Sequence, residues 1–295
     1  MDARCNYEWR HPLRHGRTNT ARDPFFKRAF SPPGFLAQIL SFRFAKLKNI
    51  MEKINPYKKM SFKGEELCAW SGPLAILMFA VGWGCLAGWW TPPPPTLNAT
   101  ELAGIFQQDA IRIRFGMLLT MYGGGGLTLP FAAVVTVVML RMRGPSPAWA
   151  YTQLGAGICN AVLFIIGVQL FAASAFRPDR QVEITQFGYD FGMLLFDGVN
   201  IGGIVQFASI GAAILGDENE HPAFPRWFGY VNIWFASMLL LTANITFFKT
   251  GPFNWSGPLG WWYGVIVYCL WFFMLVPFLL KAIKEHKRIN RQCMA

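Results

Sequence analysis

Ionisable side chains are nearly missing from six long stretches of this sequence. A soluble helix of that length would need a charged face toward water, so a fold bathed in water on all sides is excluded. Histidine is equally sparse where it would matter. His11, His15, His221 and His286 all lie outside the apolar stretches, which disfavours a bundle-buried haem with two histidine ligands and a histidine-rich metal site within the membrane. The six cysteines form no C-x-x-C pair, so neither a disulfide framework nor a zinc site is suggested. No G-x-S-x-G occurs, and no Lys-Ser or Lys-Thr follows the glycine run at Gly123 to Gly126. A serine hydrolase elbow and a phosphate loop are therefore both unsupported. No cofactor is implied.

What is present is apolar length. A membrane span needs about 20 mainly apolar residues, and six segments meet that need: 69–90, 115–140, 149–176, 187–215, 227–248 and 259–280. A chain in hydrocarbon must satisfy its own backbone hydrogen bonds, so each is expected to be helical. The expected fold is an all-α polytopic membrane bundle with six transmembrane helices. Breakers separate the segments: the run Pro92 to Pro95, Gly144-Pro145-Ser146-Pro147, and His221-Pro222-Ala223-Phe224-Pro225. Many of the 12 tryptophans stand at segment ends, where indole rings favour the headgroup level.

The net charge of +11 is a topological signal rather than a sign of nucleic-acid binding, because the basic residues flank spans. The N-terminal region, Arg141 and Arg143 after span two, and Lys281 to Arg291 after span six fall on one side. That side is expected to be cytoplasmic, giving an N-in, C-in protein of the plasma (inner) membrane with the lipid bilayer as its partner.

Residues 1–59 read as a basic extension and 60–295 as the six-helix domain. Between Gly34 and Ile54, apolar residues at helical spacing alternate with Arg43, Lys46, Lys48 and Lys53. An amphipathic helix on an anionic leaflet fits this pattern. Disorder, or a reading frame that truly starts at Met51 or Met60, fits it too.

Carboxylates within a membrane are costly and mark functional suspects. Only span four offers them. Asp190 and Asp197 are seven residues apart, roughly 10 Å at the helical rise and nearly two turns, so both are expected to project from about the same face. Asn200 continues that side and Gln206 lies deeper. The competing reading pairs Asp190 with Arg177 or Arg180 and caps Asp197 with a hydroxyl or amide from another helix. Asn160, Gln169, Asn232, Thr242 and Asn244 read as hydrogen-bonding links between helices. Gly123 to Gly126, with Pro130, reads as close packing or as a kink that exposes backbone. The word Trp-Ser-Gly-Pro-Leu occurs at Trp70 and again at Trp255, and reads as helix-start chemistry with Ser as N-cap. Asn98-Ala99-Thr100 and Asn254-Trp255-Ser256 match the short glycosylation pattern, which carries little weight so near a span.

Several words together resemble a group of uncharacterised bacterial six-span integral membrane proteins, over residues 68–283. They are Cys68-Ala69-Trp70-Ser71-Gly72, the proline run with Thr96 to Ala103, Ala150 to Leu154, Ala175 to Arg180, Phe224 to Tyr230 and Phe248 to Phe253. The resemblance implies a membrane bundle and transfers no activity to any residue. Three function classes stay open. Small loops and sparse buried charge lean toward an accessory or structural membrane component with an unidentified protein partner. A small-molecule or proton-coupled transporter would use Asp190, Asp197 and the glycine run. An enzyme acting on a lipid or sterol would need Asp190 with Arg177 and Arg180.

Overall fold

A computed structural model describes residues 62–294, and within them the chain is helical with no strand. The basic extension, including the Gly34 to Ile54 pattern, lies outside the described residues. Six helices have the length and apolar content to cross a membrane: Lys63–Leu86, Ala110–Met139, Pro147–Phe176, Val182–Leu215, Arg226–Thr246 and Pro258–Arg291. The shortest has 21 residues, or roughly 30 Å at 1.5 Å per residue, enough for the hydrocarbon core. The protein is a multi-pass membrane protein.

The observed helices run further than hydropathy alone indicates. Span one begins at Phe62 rather than Ala69, and span two at Ala110 rather than Phe115. Ser71 and Pro73 therefore lie inside span one instead of capping it. The Ser71 hydroxyl donates to the Cys68 carbonyl one turn earlier (2.7 Å). At the second copy of the word, Pro258 does open a helix, but the N-cap is Gly257, and the Ser256 hydroxyl donates to Asn254 instead. An extra helix, Ala99–Gln108, fills the connection between spans one and two. Its start is a capping box: Asn98 Oδ1 accepts from the Glu101 amide and Glu101 returns the bond to the Asn98 amide. The short glycosylation match thus coincides with a structural cap.

Small residues let the helices close on one another. A side chain at Gly82 would meet the Gly116 carbonyl and Thr120 at 2.6 Å, joining spans one and two. A side chain at Gly211 on span four would meet the Gly229 carbonyl of span five at 2.9 Å. Dispersion and close backbone approach, rather than hydrophobic exclusion, drive such contacts in lipid. Two apolar clusters result. One, around Phe131, Phe207, Phe228, Trp271 and Leu279, lies toward the end carrying Arg141. The other, around Trp83, Trp89, Phe171, Tyr189 and Trp261, lies toward the far end. At the first end Arg141 donates to both Glu65 oxygens, at 2.9 and 2.6 Å, and ties span two to span one.

Five of the six spans leave α-helical geometry somewhere. Wider π-type turns occupy Ala80–Leu86, Met121–Gly126, Leu194–Gly198 and Pro258–Trp262, and a tighter 3-10 turn occupies Thr242–Thr246. Span three alone is regular over its whole length.

Candidate functional site

Span four is where the irregularity becomes a break. Its π-type turn ends at Gly198, and Val199 (φ −105°, ψ 64°) and Asn200 (φ −80°, ψ 19°) leave helical geometry before Ile201 restarts the helix. No proline forces this. Side chains hold the break open instead. The Asn200 amide donates to the Asp197 carbonyl (2.8 Å) and to Thr242 Oγ1 on span five (2.7 Å). Its own Oδ1 accepts from the Tyr268 hydroxyl of span six (3.2 Å). Thr242 passes the chain on by donating to the Leu239 carbonyl (2.8 Å). Three spans are thereby tied at one depth.

Beside this network lies a cavity of about 130 Å³. Its walls come from spans one, two, three, four and six. Part of the lining is polar: Thr128, Asn160, Asp197, Asn200 and Tyr268. Another part is aromatic, formed by Phe79, Phe164, Phe196 and Trp261. Phe196 stacks on Trp83 with centroids 5.0 Å apart and planes 7° apart, and Trp83 in turn stacks on Trp261 at 5.2 Å. The aromatic wall is therefore the edge of a packed column. Gly124, from the glycine run, also lines the cavity. A side chain there would collide with the Phe164 ring. The run thus serves close packing and shapes the cavity at once.

Asp197 is the unusual wall residue. It is 7% exposed, and its Oδ2 is buried with no hydrogen-bond partner. The other oxygen has only a long contact from Asn200, at 3.4 Å. No Lys, Arg or His lines the cavity among the described residues. A carboxylate taken out of water without a partner is costly, and a proton or a cation relieves that cost. Other buried polar atoms without partners, such as Gln153 Nε2 and Asp217 Oδ2, lie away from this wall.

The remaining sequence candidates separate. Asp197 and Asn200 meet in the cavity wall. Asp190, half-buried nearer the far end, does not line it: the wider turn Leu194–Gly198 separates it from Asp197, and the break at Val199 and Asn200 ends the expected face beyond Asp197. No ion pair joins Asp190 to Arg177 or Arg180 among the described residues. The positive charge that acts on Asp190 is Lys249, beyond span five. Gln206 is buried against span three, where its amide nitrogen would lie 2.8 Å from a side chain placed at Gly157. Arg177 ends span three as an exposed residue, and Arg180 follows in the connecting turn.

Of the amides and hydroxyls expected to link helices, Asn232 accepts from Trp271 Nε1 on span six (3.0 Å), Thr242 accepts from Asn200, and Asn160 reaches the Tyr268 hydroxyl. Gln169 is exposed instead, and Asn244 donates to Leu241 within its own turn. Tyr268 was the missing member. A hydroxyl in the apolar run Val267-Tyr268-Cys269-Leu270 needs a partner, and that need was its signal. Among the described residues no group of three His, Cys, Asp or Glu side chains is arranged to hold a metal ion.

Compared with protein-family models, with curated proteins and with solved structures, the chain matches none.

Proposed function

We propose that the protein is a membrane transporter of a small solute, with the Asp197 cavity as the solute site. One observation carries this reading. A carboxylate-bearing cavity sits at mid-depth of spans one to four, where three of those four helices depart from α geometry. Phe79, Gly124, Phe164 and Asp197 all stand near the middle of their spans. Binding at the midplane beside discontinuous helices is the arrangement secondary transporters use, and π-type turns concentrate at functional sites. The Lys/Arg bias supports an N-in, C-in orientation in a plasma membrane. The likeness to bacterial six-span proteins is compatible with this reading and supplies no substrate.

Cys269 lines the same cavity and allows a direct test. In full-length protein with Cys269 as the sole cysteine, a small water-soluble methanethiosulfonate should modify it in sealed membrane vesicles. A parallel variant retaining only Cys159, exposed on the outer face of span three, should react with an apolar maleimide and resist the polar reagent. Transport requires water to reach the cavity. If Cys269 is as resistant as Cys159 to the polar reagent, the transport reading fails and an accessory role with a protein partner takes its place.

A further inference from the structure

We infer that the solute is a small organic cation of the alkylammonium class, an inference that rests on the transport reading. Four features of the cavity select this chemistry. Asp197 is more than nine-tenths buried and one of its oxygens is unpartnered, so the site holds a negative group awaiting a positive one. No described Lys, Arg or His lines the wall to neutralise it, which disfavours an anion there. Phe79, Phe164, Phe196 and Trp261 supply an apolar aromatic lining in the same cavity as the carboxylate. Such a lining accepts the alkyl groups on nitrogen, while the carboxylate takes the charge.

The fourth feature separates an organic cation from a metal ion. Hard metal cations require six or so oxygen ligands converging on one point. Here Asn200 is already committed to Thr242, Tyr268 and the Asp197 carbonyl. That leaves few free oxygens beside an aromatic wall. An alkylammonium needs only one or two charge-assisted contacts and buries its carbons against the rings. Gly264 deepens the pocket on the Asp197 side, since a side chain there would lie 3.7 Å from Asp197 Oδ1.

The test reads protection of Cys269 in the sole-cysteine protein, with tert-butylammonium as the probe and tert-butanol as its neutral counterpart of the same shape. tert-Butylammonium should slow modification of Cys269 by about tenfold or more, in line with a charge-assisted hydrogen bond in a desolvated site, while tert-butanol should have little effect. Asp197→Asn should abolish the protection, and Asp197→Glu, which keeps the charge, should preserve the preference for the cation. If Asp197→Asn fails to fold, the comparison of the two probes on the unaltered site still decides. Equal protection by both probes overturns the cationic inference and leaves the transport reading standing. Ready modification of Cys269 with no protection by either probe also overturns the inference alone. A Cys269 that never reacts with the polar reagent removes the transport reading and the inference together.

Discussion

Spans three and four have 30 and 34 residues, both strongly apolar, yet one is an unbroken rod and the other breaks at its middle. Their positions explain the difference. Only 28% of the span-three window is buried in the protein, against 56% for span four. A helix that faces lipid has nothing but its own backbone to satisfy its polar groups, so it stays regular. A helix surrounded by others can surrender backbone bonds, because neighbouring side chains replace them. Asn200, Thr242 and Tyr268 do this for span four. In span four the break falls beside Asp197 and Asn200, both buried among the other spans.

The largest expected effect breaks this comparison at its source. Asn200→Leu removes the donor that holds Asp197 and Thr242 and the acceptor for Tyr268. It should cost about 2–4 kcal/mol, as several buried groups lose partners together. Thermal unfolding in detergent measures it, and a loss below ~0.5 kcal/mol, the range of an inert substitution, would show that the break holds itself open. Next comes a glycine pair that contrasts the two helices. Gly202→Val on span four drives a side chain against the Ala156 carbonyl and Asn160 at 2.8 Å and should cost about 1–3 kcal/mol. Gly155→Ala on span three meets nothing within 4 Å and should fall within about 0.5 kcal/mol of no change. If the two behave alike, lipid-facing regularity is not what distinguishes the spans.

Trp271→Phe keeps the ring between spans five and six and removes only its bond to Asn232. About 1 kcal/mol is expected from an interhelical hydrogen bond in a membrane, read from the same unfolding transition. A shift several times larger would mean that ring packing was lost as well. The smallest effect is local. Asn98→Ala removes the cap of Ala99–Gln108 at a cost of about 1 kcal/mol or less. Hydrogen exchange should quicken within that helix and stay unchanged in span three. Faster exchange throughout would show that the short helix supports the whole bundle.

The six spans and their order were legible because apolar length is a strong signal and proline-rich breaks separate them. The glycine run was legible for the same reason, since four glycines in a span demand close neighbours. The break in span four was not. No proline marks Val199 and Asn200; Gly198 and the pair Gly202-Gly203 flank them, but the side chains that hold Asn200, those of Thr242 and Tyr268, lie far along the chain. Spacing Asp190 and Asp197 on one face assumed a regular α-helix between them, and the wider turn Leu194–Gly198 intervenes. The helix Ala99–Gln108 was legible in principle. Asn98 with Glu101 three residues on is a capping signature, but its ten residues fall short of a span, and hydropathy passes over it.

The proline run closes the far end in an unusual way. Pro93 offers its carbonyl to the Tyr189 hydroxyl (2.7 Å) and to Trp255 Nε1 (3.0 Å), while Trp90 offers its own to Trp261 Nε1 (2.8 Å). Prolines have no N–H to give, so the hydrogen bonds that fasten this segment are ones it accepts, from donors on the tips of rings in span four, in span six and in the turn before span six. A fastening of that kind works as a latch rather than a weld. Pro92 and Pro93 are buried as well, so parting this segment from the bundle breaks three side-chain hydrogen bonds and exposes apolar surface, yet it unwinds no helix.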